Sequence, residues 1–340
     1  MKTKIICTLG PASNSHEVIE KLARGGMSIA RVNCSHGGAE GNKQKFADLI
    51  AVRKKHGFNY QIMLDTKGPE IRLGFFENDS VTLKDGDEFT LTTTECLGDK
   101  RRVFVNCPTL PTHVKHGQII LLSDGMIKLI VKSINGTDVL CTIKNGGVLS
   151  NRKTLFAPNC HLGFSFLSEY DKADLKLGKQ LGAEIIAASF VSSKQDILEI
   201  NEFMEHECGG TLPIIAKIES SDGIKNLDGI LSVVYGVMVA RGDLGVEYLI
   251  EEIPGLQKHI IRKANKAGKF VVVATEMMES LVEKPRPTRA ETTDVYNAVH
   301  DGADATMLSA ETAIAINPER SIAYMRRIIV QAEKELDQHF

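Results

Sequence analysis

Nothing in the opening residues marks this chain for export or for a membrane. Met1-Lys2-Thr3-Lys4 leads into an apolar run that ends at Gly10-Pro11, too short for a secretory leader and far too short to span a bilayer. A cytoplasmic protein with no membrane partner is the expectation. Charge of one sign is also missing. Lysine and arginine number 41 against 43 acidic residues, for a formal net charge of −2, which leaves no electrostatic footprint for nucleic acid. An anionic ligand must then be held by local cations and backbone donors. The cysteines, at 7, 34, 96, 107, 141, 160 and 208, are odd in number and form no CxxC pair. They read as reduced thiols, not as a disulfide framework or a zinc site; His113 and His116 are the one close histidine pair, and solvated loop histidines are the plainer reading. No low-complexity tract, charge block or proline-rich linker interrupts the chain. With 43% hydrophobic and 25% charged residues it can bury a full core.

What is present is a rhythm. Short apolar, β-branched runs recur at 4–9, 28–34, 61–66, 184–191, 213–219, 236–243, 270–277 and 305–309, and they read as eight buried strands. Between most of them lie amphipathic stretches of helix length, such as 15–24, 194–206 and 257–267, each able to cover a parallel sheet; a last one fills 318–340. Eight such alternations predict a closed α/β barrel. The interval after the third run breaks the rhythm. It holds short alternating strands at 80–83, 88–93, 119–122 and 127–131, separated by the turn signals Asp85-Gly86, Asp124-Gly125, Asn135-Gly136 and Asn145-Gly146-Gly147. A β-rich insertion at 67–156, with the barrel built from 1–66 and 157–340, accounts for both patterns. Its ends must return to one rim, which places it over the face where barrel active sites lie.

Polar residues gather where the strands end: Arg31, Asn33 and Ser35 after the second, Asp65 and Thr66 at the third, Lys217 and Glu219 at the fifth, Arg241 and Asp243 at the sixth, Thr275 and Glu276 at the seventh, Ser309 and Glu311 at the eighth. A barrel serving only as a scaffold needs nothing there but turn residues. Glu219 and Asp243 are carboxylates on neighbouring strand ends, and their oxygens, with waters and substrate oxygens, can complete an octahedral Mg2+ shell. The plainer alternative is that each pairs with a nearby lysine or arginine. Lys217 lies two residues before Glu219, so both side chains share one face, and its ammonium can neutralise charge on a transferring phosphoryl group. The run Ala240-Arg241-Gly242-Asp243-Leu244-Gly245 allows close backbone approach, and a helix turn beginning there can hold a carboxylate on its N–H groups.

At these residues the sequence resembles the pyruvate kinase family, from about residue 3 to about residue 325. The matching motifs are Thr3-Lys4-Ile5-Ile6-Cys7-Thr8-Leu9-Gly10-Pro11-Ala12-Ser13, Ala30-Arg31-Val32-Asn33-Cys34-Ser35-His36-Gly37 and Leu64-Asp65-Thr66-Lys67-Gly68-Pro69-Glu70-Ile71-Arg72. They continue with Ile215-Ala216-Lys217-Ile218-Glu219-Ser220, Met238-Val239-Ala240-Arg241-Gly242-Asp243-Leu244-Gly245 and Pro285-Arg286-Pro287-Thr288-Arg289-Ala290-Glu291. The resemblance implies a (β/α)8 TIM barrel with a small β-barrel lid inserted after strand three, and phosphoryl transfer between phosphoenolpyruvate and ADP, giving pyruvate and ATP. It implies Mg2+ or Mn2+ on Glu219 and Asp243, and K+ on Asn33, Ser35, Asp65 and Thr66, with Glu70 marking the potassium-dependent type. Arg31 and Lys217 would hold the phosphoryl group, while Thr275 and the backbone at Gly242 and Asp243 would face the substrate carboxylate. Ser309 would join the proton route, completing a catalytic set of Lys217, Arg31, Thr275 and Ser309. Arg72, His36, Pro11, Asn33 and Lys153 would lie toward the nucleotide, with Asp124 on the rim of the lid.

The sequence also departs from that family. Val234-Tyr235-Gly236 stands for the usual Ser-Asp-Gly, Glu276 for a glutamine, and Ala310 with Ile314 interrupts the usual Gly-Glu-Thr-Ala-Lys. The return strand of the lid reads Arg152-Lys153-Thr154-Leu155-Phe156-Ala157-Pro158-Asn159 in place of Lys-Gly-Val-Asn-Leu-Pro. A carboxylate at Glu276 would repel that of phosphoenolpyruvate unless it is protonated, paired or turned away. The sequence ends where the family begins its C-terminal effector domain, so sugar-phosphate activation is expected to be missing and a homodimer through barrel-to-barrel contact is expected. Two other functions fit the departures: a specialised paralogue acting on another phosphoenol or 2-oxo acid, and a non-catalytic phosphoenolpyruvate-binding protein. A metal-dependent lyase or aldolase, which the two carboxylates alone would permit, fits the potassium set and the lid less well.

Overall fold

A computed structural model describes residues 1–35, 38–158, 160 and 166–337, apart from the side chain of Ala39. The chain divides into two compact units. One comprises Met1–Gly68, Phe166–Leu244 and Ile250–Phe340; the other comprises Pro69–Ser165 with Gly245–Leu249. Among the described residues no helix is long and apolar enough to cross a membrane.

The first unit is a closed ring of parallel strands: β1 (Lys4–Thr8), β2 (Met27–Asn33), β3 (Gln61–Asp65), β4 (Ile185–Ala188), β5 (Ile214–Ile218), β6 (Gly236–Ala240), β7 (Phe270–Ala274) and β8 (Ala305–Leu308). Each pairs with its neighbour in sequence order, and β8 closes back onto β1 with Lys4 opposite Ala305 and Cys7 opposite Leu308. Strands buried on both faces need continuous apolar runs rather than alternation, which is why 4–9 and 270–277 stood out. The outer layer is made of α1 (His16–Gly25), α2 (Gly38–His56), α3 (Glu169–Gln180), α4 (Lys194–Cys208), α5 (Ile253–Lys266), α6 (Arg289–His300) and α7 (Pro318–Leu336), with two short helices, Ser221–Lys225 and Leu227–Leu231, after β5. Several starts are written in the sequence. Ser168, Ser193 and Thr288 cap α3, α4 and α6, each accepting the N–H three residues on, and Asp171, Asp196 and Glu291 reach back in reciprocal capping boxes.

Inside the ring, Ile6, Ile29, Met63, Ile185, Ala187, Ile215, Met238, Val272, Ala274, Ala305 and Met307 form one packed cluster. Each large aliphatic buried there contributes about 1.5–3 kcal/mol relative to an exposed one. At the opposite end from the strand termini, Phe270 plugs the ring, with Tyr235 stacked on it at 5.6 Å and Lys4 at 5.4 Å from its centroid. Gly236 pairs with Phe270, and a Cβ there would lie 2.4 Å from the Phe270 carbonyl oxygen, so the strand crossing requires glycine.

Among its described residues the second unit is β in character, apart from a short helix at Leu110–His113 and the end of the helix Arg241–Glu247. The expected small barrel is seen as a six-stranded sheet, in the order Leu155–Phe156, Ile119–Leu122, Ile127–Asn135, Asp138–Asn145, Glu88–Thr92 and Arg102–Phe104, beside a two-stranded sheet of Gly147–Ser150 with Ser80–Leu83. Isolated bridges join Arg72 to Thr154, Leu73 to Val105 and Phe76 to Gly98. The Asn135-Gly136 signal makes a tight hairpin, with Asn135 opposite Asp138 and Gly136 at φ 58°. Phe89, Leu91, Leu129, Val131, Val139 and Cys141 are fully buried in the core of this unit.

Candidate active site

Side chains alternate along a strand, so residues two apart face the same way. Two positions past the apolar layer of the ring, the inward residues turn polar: Thr8 after Ile6, Arg31 after Ile29, Asp65 after Met63, Ser189 after Ala187, Lys217 after Ile215 and Ser309 after Met307. On β6 and β7 the same position is Ala240 and Ala274, small residues that leave room.

Thr8, Arg31, Asp65, Lys217 and Ser189 make one continuous polar chain that reaches Glu219. Arg31 Nε donates to Asp65 Oδ2 at 2.6 Å, and Arg31 Nη1 donates to Thr8 Oγ1 at 3.0 Å. Lys217 Nζ donates to Asp65 Oδ1 at 3.1 Å and to Ser189 Oγ at 2.7 Å, and lies 3.0 Å from Glu219 Oε1. All are buried, from 1% exposure at Asp65 and Glu219 to 9% at Lys217. Burial opposes the charge on Lys217, yet Asp65 and Glu219 outweigh it and hold the ammonium above its ordinary pKa, with Asp243 adding to the same field. Burial likewise works against the Asp65 carboxylate, and Arg31 and Lys217 together hold its pKa below the ordinary value. Losing one member of such a buried pair typically costs about 3–5 kcal/mol, because the partner charge is left uncompensated.

Glu219 is held from one side. Its Oε2 accepts the N–H of Phe190 at 2.6 Å, whereas Oε1 faces Lys217 outside hydrogen-bond geometry and has no hydrogen-bond partner. Asp243 sits in the first turn of the helix Arg241–Glu247, which follows β6. Glu219 and Asp243 both act on the charge of Lys217. For Glu219, the ion pair with Lys217 leaves one buried oxygen without a hydrogen-bond donor.

Thr275 and Glu276 follow β7 in the left-handed region, at φ 73° and 53°. That conformation is an outlier for a β-branched residue and persists only when its surroundings enforce it. The surroundings here are Arg241. Its Nε donates to the carbonyls of Ala274 and Thr275 at 3.2 and 3.1 Å, Nη2 donates to the Thr275 carbonyl as well, and Nη1 is held by Asp294 at 2.6 Å. In return the Thr275 hydroxyl accepts the N–H of Gly242 at 3.2 Å. The two substrate-facing elements expected from the sequence are thus tied to each other. Ser309 begins a short helix, Ala310–Ala313, and its N–H donates to Glu311 Oε2 at 2.7 Å; the other oxygen of that fully buried carboxylate accepts the N–H of Met278 at 2.9 Å.

Asn33 and Asp65 are register partners on β2 and β3. Asn33 Oδ1 accepts the N–H of Ser35 at 3.0 Å, and the Thr66 carbonyl accepts the Ser189 hydroxyl at 2.6 Å. The expected potassium residues therefore line adjacent strand ends as oxygen donors. Pro11 is exposed and opens a 3-10 turn, Pro11–Ser13. His36 lies outside the described residues. Arg72 and Lys153 belong to the second unit, where the Arg72 guanidinium grips Glu70 with two bonds of 2.9 and 2.8 Å and the Lys153 carbonyl accepts the Leu73 N–H. In that unit Thr154 Oγ1 donates to Asp124 Oδ1 at 2.8 Å, and Asp124 stands at φ 55°. No three His, Cys, Asp or Glu side chains converge on a metal position among the described residues.

Sequence reasoning passed over Ser189, Thr8 and Asp171. Ser189 and Thr8 were legible as the inward polar position closing their strands. Asp171 had no such signal: it is the α3 capping-box residue, and its Oδ1 also accepts the N–H of Gly68 at 3.0 Å. Gly68 is at φ 73° with Ser189 against it, where a Cβ would come within 2.9 Å of the serine Cβ.

Residues 1–322 match the family described as pyruvate kinase, barrel domain. The chain is 42% identical over 340 residues to a pyruvate kinase of Clostridium perfringens, covering all of this chain and 72% of that protein. It is 43% identical over 338 residues to a pyruvate kinase of Geobacillus stearothermophilus, covering 99% of this chain but 58% of that protein. A crystal structure of a pyruvate kinase from Cryptosporidium parvum superposes with a TM-score of 0.93 at 38% identity, over 98% of this chain and 69% of its own.

Proposed function

The chain belongs to the pyruvate kinase family, and from that premise we propose that its barrel binds phosphoenolpyruvate and delivers the phosphoryl group to ADP. An oxygen of the nucleotide β-phosphate bonds to phosphorus as the enol C–O–P bridge breaks, and the pyruvate enolate then takes a proton at its methylene carbon. The supporting observation is the buried lysine set between two carboxylates, one of which keeps an oxygen without a donor.

That oxygen on Glu219 fits a divalent cation, and with Asp243 it would supply two hard oxygen ligands. Asn33, Ser35, Asp65 and Thr66 offer only oxygen donors and fit a monovalent cation. Bound there, such cations would supply positive charge to a phosphoryl group in transfer. The protein's own residues do the rest. Lys217 stays protonated and sits where negative charge spreads over the phosphoryl oxygens. Arg31 spends Nε on Asp65 and Nη1 on Thr8, fixing its plane so that Nη2 can meet the same group. Gly242 and Thr275, locked by Arg241, would orient the substrate carboxylate. Ser309 would pass the proton toward the methylene carbon.

A lactate dehydrogenase-coupled assay with phosphoenolpyruvate, ADP, Mg2+ and K+ should show pyruvate formation that is lost when either cation is withheld. No pyruvate with all four present sinks the reading. A homodimer fits Ile250, an apolar side chain exposed to 76% beside the helix that carries Asp243. Sedimentation at micromolar concentration should find a dimer that Ile250→Glu converts to monomer, and a monomeric parent protein rules the dimer out.

A further inference from the structure

Helix α2 carries two polar side chains that the chemistry above leaves unused. Asn42 is 1% exposed, and its Nδ2 has no hydrogen-bond partner. One turn on, the half-buried Lys45 donates to Asn42 Oδ1 at 3.3 Å. No carboxylate lies within salt-bridge distance of Lys45 among the described residues, and beyond burial it feels the neighbouring Cys34 and, with a charge like its own, the Arg31 guanidinium.

Neither feature is stabilising in an unliganded barrel. A buried amide nitrogen without an acceptor forfeits its bonds to water and gains nothing in exchange. A half-buried ammonium whose hydrogen bond goes to a neutral oxygen, with no carboxylate to pair with, is in the same position. Burial, opposed by Cys34 and seconded by Arg31, holds the Lys45 pKa below its ordinary value. One kind of ligand removes all of these costs together: an anion with several acceptor oxygens, able to take the amide N–H and the ammonium and to share Arg31.

We propose that Asn42 Nδ2 and Lys45 Nζ, together with Arg31, form a phosphate subsite on the α2 side of the β2 strand end. The ligand is a phosphate group, carried either by the enol substrate or by the nucleotide. The proposal rests on the kinase reading for its ligand but not for its geometry.

The experiment pairs binding with kinetics. Inorganic phosphate is titrated into the whole protein and into Lys45→Met by calorimetry, and a weakening of about tenfold is expected, the weight of one charge-assisted contact. Lys45→Arg should recover most of the affinity, and Asn42→Ala should weaken it less than Lys45→Met. In steady state, a rise in KM for ADP alone assigns the subsite to the nucleotide, and a rise in KM for phosphoenolpyruvate alone assigns it to the substrate. Phosphate affinity and both KM values unchanged in a Lys45→Met protein with wild-type melting behaviour overturn the subsite. If phosphate binding depends on Lys45 while the parent protein makes no pyruvate, the subsite stands and the kinase reading falls.

Discussion

Replacing Lys217 with methionine is expected to abolish measurable turnover, with kcat lowered on the order of 10³ or more, as for a preorganised charge removed from a desolvated site. Methionine matches the volume, so no cavity term enters, and the loss is electrostatic. Stability should fall as well. Asp65 keeps Arg31, but Glu219 is left with one backbone N–H in a site only 1% exposed, and breaking a buried pair on one side costs about 3–5 kcal/mol. The pH dependence follows from the two shifts. The Lys217 pKa is raised in the fold, so its stabilisation is complete below the unfolded value of 10.5 and is lost only as pH climbs through the folded one. The Asp65 pKa is lowered, so its stabilisation is complete above 3.8 and is lost as pH falls through the folded value. Between about pH 5 and pH 9 the melting difference between the parent and Lys217→Met should therefore be constant, and it should shrink in acid as Asp65 is protonated. Lys217→Arg restores a charge but not a compact ammonium in this geometry, so it should recover part of the stability and little of the rate. A methionine variant retaining a tenth of parental activity in the coupled assay would remove Lys217 from the chemistry.

The same alternation that places Lys217 decides what was legible beforehand. Strands such as β5 and β7 announce themselves because both faces are buried and their residues are β-branched. The helix after Ser193 was readable from its amphipathic run, 194–206, whereas the one that Ser168 caps was not singled out. The Asn135-Gly136 hairpin was readable because its two-residue loop needs a left-handed residue. The strand at Arg102–Phe104 was not, being three residues long and paired in parallel with Glu88–Thr92. In the site, charged residues stood out at strand ends, but their partnerships did not. That Asp65 bridges Arg31 and Lys217 is a fact of ring closure, joining residues 34 and 152 positions apart in sequence. The hold of Arg241 on a left-handed Thr275 is invisible too, because nothing in the local sequence there demands a positive φ.

Glu219→Gln should separate cation binding from simple pairing. The glutamine carbonyl can still accept the Phe190 N–H in place of Oε2 and Lys217 keeps Asp65 and Ser189, so the fold should survive, with a loss below the roughly 3–5 kcal/mol of a fully broken buried pair. The amide nitrogen then replaces Oε1, and two donors face each other 3.0 Å apart where a carboxylate faced an ammonium. If Oε1 is a cation ligand, Mn2+ affinity followed by electron paramagnetic resonance should weaken at least about tenfold, and kcat should fall on the order of 10²–10³. Asp243→Asn should do the same. Because both would act on one ion, the double variant should fall well short of the sum of the two free-energy losses. Additive losses would mean that the two carboxylates serve separate ends. Unchanged Mn2+ affinity with lost activity would mean that Glu219 exists to hold the charge of Lys217, and the unpartnered oxygen would need another explanation.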